Sequence, residues 1–87
     1  MKTKVLTYRT IIEKDGKYYH GFVPSLPGCH TQGNTIEETK KNLKEAIEGH
    51  VQTLIELGER VPVDNGIESL ESVDIEKFGK KVNISYA

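Results

Sequence analysis

The sequence predicts an α+β domain of order β-β-β-α-β, with one long helix packed on a small, mostly antiparallel sheet. Three observations carry that expectation. Two strand-like segments flank Asp15-Gly16, a dipeptide that favours the tight turn of a hairpin. One amphipathic run begins at Thr35, with Glu38 three positions on, and continues for roughly 22 residues, about 33 Å of helix. The closing stretch Val82-Asn83-Ile84-Ser85-Tyr86 alternates apolar and polar side chains, the period of a strand with one buried face.

The first strand is expected over residues 5–12, rich in β-branched and aromatic residues, and its return over residues 18–23. Pro24 has no N–H for a ladder and ends that return. Pro27-Gly28 suits the centre of a type II turn, because proline presets the first φ and glycine accepts a positive second one. A short third strand follows over residues 29–32, and Gly33-Asn34 redirects the chain. The helix is expected from Thr35 to about Leu57. Its apolar positions are Ile36, Leu43, Ala46, Ile47, Val51, Leu54 and Ile55, with Leu43, Ile47, Val51 and Leu54 facing the sheet. Glu37 and Glu38 complement the positive end of its dipole, and Gly58 stops it. Residues 61–79 show no clean period and read as a loop with a short helical turn.

At 87 residues the chain fits one domain, 1–87, of a size that is marginally stable alone and often gains from oligomerising. Twelve basic and 13 acidic residues leave a net charge of −1, which argues against strong attraction to nucleic acid or anionic lipid. One cysteine cannot form an internal disulfide, and this suits a reducing compartment. No apolar run approaches the ~20 residues that span a membrane, and the start MKTKVLTYRT lacks the apolar core of a secretory signal. The expected location is the cytoplasm.

Candidate chemistry falls away on geometry. Cys29 and His30 are strand neighbours, so they point to opposite faces and form no nucleophile–base pair. His20, His30, His50 and Cys29 match no compact zinc-ligand spacing. The acidic residues concentrate in the helix and in the segment after it, interleaved with lysines as in a solvated, ion-paired face. The loop from Gly28 to Gly33 opens toward a helix N-terminus but lacks a phosphate-binding lysine. No catalytic residue, metal or cofactor is expected. A small nuclease or hydrolase using His20, His30 or Cys29 is the less favoured alternative.

The stretch YHGFVPSLPGCHTQGNTIEETKKNLKEAI closely resembles the HicB family of antitoxin-like proteins. The residues that carry the resemblance are Pro24, Leu26, Pro27, Gly28, Cys29, Thr31, Gly33, Thr35, Glu37 and Glu38; the GERVPVD that follows the helix fits too. Thr39 stands where alanine is commoner, and Gly21 where a small residue is usual. The resemblance implies a partial ribonuclease-H-like fold without the nuclease's metal-binding acids. It also implies an antitoxin that binds and blocks a HicA-like, mRNA-cleaving toxin. Members often carry a C-terminal DNA-binding domain; none is expected here, because the sequence stops just after the last predicted strand. A HicB-like protein with a different partner is the other alternative.

Nothing in the sequence covers whichever edge the last strand occupies, and exposed edges recruit other strands. A homodimer or larger even oligomer is therefore expected, with Val82, Ile84 and Tyr86 at the interface, or Ile55 and Leu57 on the helix.

Overall fold

The computed structural model describes residues 4–85. It contains β1 (Ile11–Asp15), β2 (Tyr18–Phe22), β3 (His30–Gly33), α1 (Ile36–Glu56) and a 3-10 turn at Ile75–Phe78. The three strands form one antiparallel sheet in the order β1-β2-β3. The α+β class and the single long helix on a small antiparallel sheet are as the sequence predicts.

The hairpin closes through Gly16 and Lys17, one residue later than Asp15-Gly16. Gly16 sits at φ 63°, a backbone that costs a glycine nothing and other residues strain. Pairing sets two faces. Ile12, Gly21 and Thr31 form one cross-strand row, and Gly21 lies directly under Leu43 of α1, so that row faces the helix. The alternate rows, Ile11–Phe22–His30 and Glu13–His20–Gln32, face away from it.

Thr35 caps α1 as expected: its hydroxyl accepts the Glu38 N–H at 3.0 Å. At the far end the Gly58 N–H bonds the Ile55 carbonyl and the Glu59 N–H that of Leu54, with Gly58 at φ 70°. That double closure satisfies carbonyls the helix end would otherwise leave open. The core consists of Val23, Leu26, Cys29 and Leu43, with Tyr8, Ile12, Ala46, Ile47 and Val51 packed around it. Leu26 is fully buried and Leu43 is 2% exposed. Ile36 and Ile55, at the two ends of the apolar stripe, stay exposed. The helix is about 31 Å long and the strands about 17 Å, so the sheet cannot cover the whole stripe.

Thr39 is the buried polar residue of the core. Its hydroxyl donates to the Thr35 carbonyl at 2.7 Å, so burial leaves no unmet hydrogen bond. Gly33 is what admits it: a Cβ there would stand 2.7 Å from the Thr39 backbone nitrogen. A Cβ at Gly21 would stand 2.7 Å from Leu43 Cδ1. The helix thus rests on bare backbone at two points of the sheet.

Beyond α1 the chain returns to the N-terminal segment and is pinned there. The Arg9 N–H donates to Asp64 Oδ2 at 2.8 Å, and Arg9 Nε approaches both carboxylate oxygens at 3.1 Å. Tyr8 donates its hydroxyl to the Pro62 carbonyl. After Gly66 the chain leaves the body as an arm. Ile67 is 93% exposed and Leu70 is 101% exposed, and the molecule measures 59 × 29 × 21 Å. Its radius of gyration is 17.6 Å, against about 12 Å for a compact chain of this length.

Two strand expectations are corrected. Residues 5–10 form no strand, so β1 begins only at Ile11. The predicted final strand does not form over residues 82–85, and its last residue, Tyr86, lies outside the described residues. The order is therefore β-β-β-α followed by a 3-10 turn. A strand exists only with a ladder partner, and alternation in sequence does not supply one. Val82 and Ile84 lie exposed, without a neighbouring strand. The expected short helical turn in the loop is present at Ile75–Phe78, capped by Asp74 and ended by Gly79 at φ 65°.

Candidate functional site

Two surfaces carry the side chains capable of recognition. The first is the sheet face turned away from α1, with the corner that follows β2. That corner is two consecutive turns. The Leu26 N–H bonds the Val23 carbonyl at 3.1 Å, and the Cys29 N–H bonds the Leu26 carbonyl at 3.0 Å. A third bond, from the Val23 N–H to the Cys29 carbonyl, closes the loop. Gly28 takes φ 83° at the position where a type II turn requires it. Leu26 fills the space inside, so Pro24, Pro27 and Gly28 act here as backbone geometry around one buried side chain.

On the outer face Phe22 lies opposite His30 in register. The His20 ring stacks on Phe22 at 6.0 Å between centroids and lies 5.6 Å from that of His30. Glu13 is the register partner of His20. Together with Pro24 and Pro27 these rings border a shallow depression of about 480 Å³. The face is aromatic and weakly polar, suited to contact with another protein.

Cys29, just before β3, turns inward. It is buried, and burial pushes its thiol pKa upward, away from the thiolate a nucleophile needs. His30 is exposed on the opposite face, so the pair diverges. The structure brings His20 and His30 together, and His50 of α1 lines a shallow depression shared with Cys29 and His30. Among the described residues no three His, Cys, Asp or Glu side chains are grouped to hold a metal ion.

The second surface is an apolar groove of about 640 Å³ between residues 4–8 and the C-terminal half of α1. Leu6, Tyr8, Ile47, Val51 and Ile55 line it, and Lys4, Glu48, Gln52 and Glu56 are its polar lining. Sequence reading placed Leu6 and Tyr8 in a paired strand and so did not anticipate a groove. The available signal was the spacing of Ile47, Val51 and Ile55, four apart, which extends the stripe past the end of the sheet. Asp64 lies close by. The backbone N–H and the guanidinium of Arg9, with the Gly66 N–H, hold its carboxyl down at about 2.

Of the remaining residues singled out in the sequence, Thr31 and Gly33 face the helix, and Thr35 and Glu38 form the α1 cap. Val82 and Ile84 lie on the arm. No described helix is long and apolar enough to cross a membrane.

Residues 8–84 match the family model of a HicB-like antitoxin of bacterial toxin–antitoxin systems. A UPF0150 protein of Thermoplasma acidophilum is 45% identical over 64 residues, covering 72% of this chain and 93% of its own length. Another, from Thermotoga maritima, is 37% identical over 78 residues, covering 87% and 99%. Among solved structures, the N-terminal domain of the Burkholderia pseudomallei antitoxin HicB aligns with a TM-score of 0.55 and 41% identity, over 80% of this chain and 75% of that one. The structure of the B. pseudomallei antitoxin HicB aligns with a TM-score of 0.59 and 38% identity, over 88% of this chain and 54% of that one.

Proposed function

The chain belongs to the HicB-like antitoxin family of bacterial toxin–antitoxin systems, and from that premise we propose that it neutralises a HicA-type, mRNA-cleaving toxin by direct protein–protein contact. The observation that carries the reading is the family match over residues 8–84, supported by the 41% identity to an antitoxin domain of similar fold. In this reading the domain is a partial ribonuclease-H-like unit over residues 1–87. It acts in the cytoplasm, as a homodimer or larger even oligomer, by binding rather than by catalysis, and without a cofactor or strong nucleic-acid contact of its own.

The geometry is compatible with contact-based inhibition. The outer sheet face offers His20, Phe22 and His30 on a rigid hairpin, and rigid aromatic groups bind at low entropic cost. The only cysteine is buried, and its raised pKa keeps it a packing group. The test is co-expression with a HicA-type toxin. The expected result is rescue of growth and elution of the two proteins as one complex. Growth arrest despite abundant soluble protein, with the two eluting separately, would contradict the proposal.

A further inference from the structure

The chain carries an empty apolar groove and, separately, an apolar arm that nothing covers. The groove lies between residues 4–8 and α1, lined by Leu6, Val51 and Ile55 among others. The arm exposes Phe78, Val82 and Ile84, which its own chain leaves uncovered. We propose that two copies of the chain exchange arms: residues 78–85 of each lie along residues 4–10 of the other, with Phe78, Val82 and Ile84 filling the groove. The inference rests on the homodimer part of the reading above and specifies how that dimer is built.

Three observations select a second copy of this arm as the occupant. First, both segments have the alternation or β-branched content of strands, and both lack a ladder partner within the chain. Laid together they supply each other's missing hydrogen bonds, extending the sheet outward past β1. The opposite edge is already partly closed, because Asn42 Nδ2 donates to the β3 carbonyl of Gln32 at 2.9 Å. Second, the charges agree. Glu48 and Glu56 outnumber Lys4 in the groove's polar lining, while Lys77, Lys80 and Lys81 outnumber Glu76 around the apolar residues of the arm. Third, the arrangement closes on itself. Each copy offers one groove and one arm, so a two-fold exchange fills both grooves and leaves no further surface of the same kind. The Arg9–Asp64 clamp fixes where the arm departs from the body.

The experiment uses the full chain in two forms with one added cysteine each, Leu6→Cys and Ile84→Cys, both at sites open enough to leave the fold intact. Cys29 is kept, since its buried thiol stays out of the reaction. The two forms are mixed and treated with a short bismaleimide, and sedimentation equilibrium of the wild type is run in parallel. Arm exchange predicts a wild-type mass of twice 9.8 kDa and a cross-linked dimer in the mixture, with far less in either form alone. Ile55→Glu should shift the mass to monomer while the circular dichroism spectrum is unchanged. A dimeric wild type with no cross-link in the mixture overturns the exchange and leaves the dimer standing. A double Leu6→Cys, Ile84→Cys chain that cross-links only within itself shows the arm closing on its own groove and also overturns it. A wild type of 9.8 kDa at all concentrations overturns both the exchange and the dimer.

Discussion

Residues 4–66 and residues 67–85 both contain leucine, isoleucine, valine and phenylalanine or tyrosine, yet only the first set builds a core. Leu43 in the body is 2% exposed, and Leu70 in the arm is 101% exposed. The difference lies in period and partner. Leu43, Ile47 and Val51 recur four apart, so a helix gathers them on one side, over a sheet whose glycines let it approach. Ile67, Leu70, Val73, Ile75 and Phe78 are spaced three, three, two and three apart, which fits neither helix nor strand over any length. Apolar content alone therefore does not fold a segment; it must present one face to a surface that is already there.

The largest expected effect tests that contrast directly. Leu43→Ala should cost about 2–5 kcal/mol, since the neighbouring helix and sheet cannot collapse into the space it leaves. Equilibrium urea unfolding measures it. An effect below about 1 kcal/mol would mean the core is not where the body places it.

Gly33→Ala comes next. A Cβ at Gly33 would meet the Thr39 backbone rather than a movable side-chain end, so α1 must lift from the sheet at about 1–3 kcal/mol. The same substitution at Gly49, which meets nothing within 4 Å, should stabilise slightly, because alanine is the better helix former. Equal effects at the two sites would break the account of close approach.

Asp64→Asn probes the junction between the two regions. Arg9 and Gly66 lower the Asp64 pKa to about 2 in the folded chain. The unfolded value is about 3.9, so the clamp stabilises fully above about pH 4 and fades as pH falls toward about 2. The urea midpoints of wild type and Asp64→Asn should differ at neutral pH and converge over that interval. A difference that grows on acidification would reverse the sign of the argument.

The smallest effect is expected in the arm. Leu70→Ala should change stability by no more than about 0.5 kcal/mol, because its side chain touches nothing that folding buries. A cost comparable to that of Leu43→Ala would show the arm packed on the body.

The body was legible in the sequence because its signals are local. Asp15-Gly16 announced the hairpin, Pro27-Gly28 the corner, and Thr35 with Gly58 the two ends of α1. What escaped depends on neighbours distant in the chain. Thr39 reads as a polar helix residue until Gly33 is seen beneath it and the Thr35 carbonyl beside it. The groove exists because α1 outruns the sheet, a length mismatch visible only once both are built. Residues 82–85 show why a strand pattern is a conditional statement: it specifies a face and leaves the partner open. The residues of the open sheet face, His20, Phe22 and His30, were each visible, but their convergence required the register.

The reading as an antitoxin is tested most directly by inhibition of cleavage. A fixed amount of a HicA-type toxin is incubated with messenger RNA while the full chain is titrated in. Contact-based neutralisation predicts that cleavage falls in proportion to added chain and ends near a stoichiometric ratio, with the chain alone leaving the RNA intact. Undiminished cleavage in the presence of excess folded chain would contradict it.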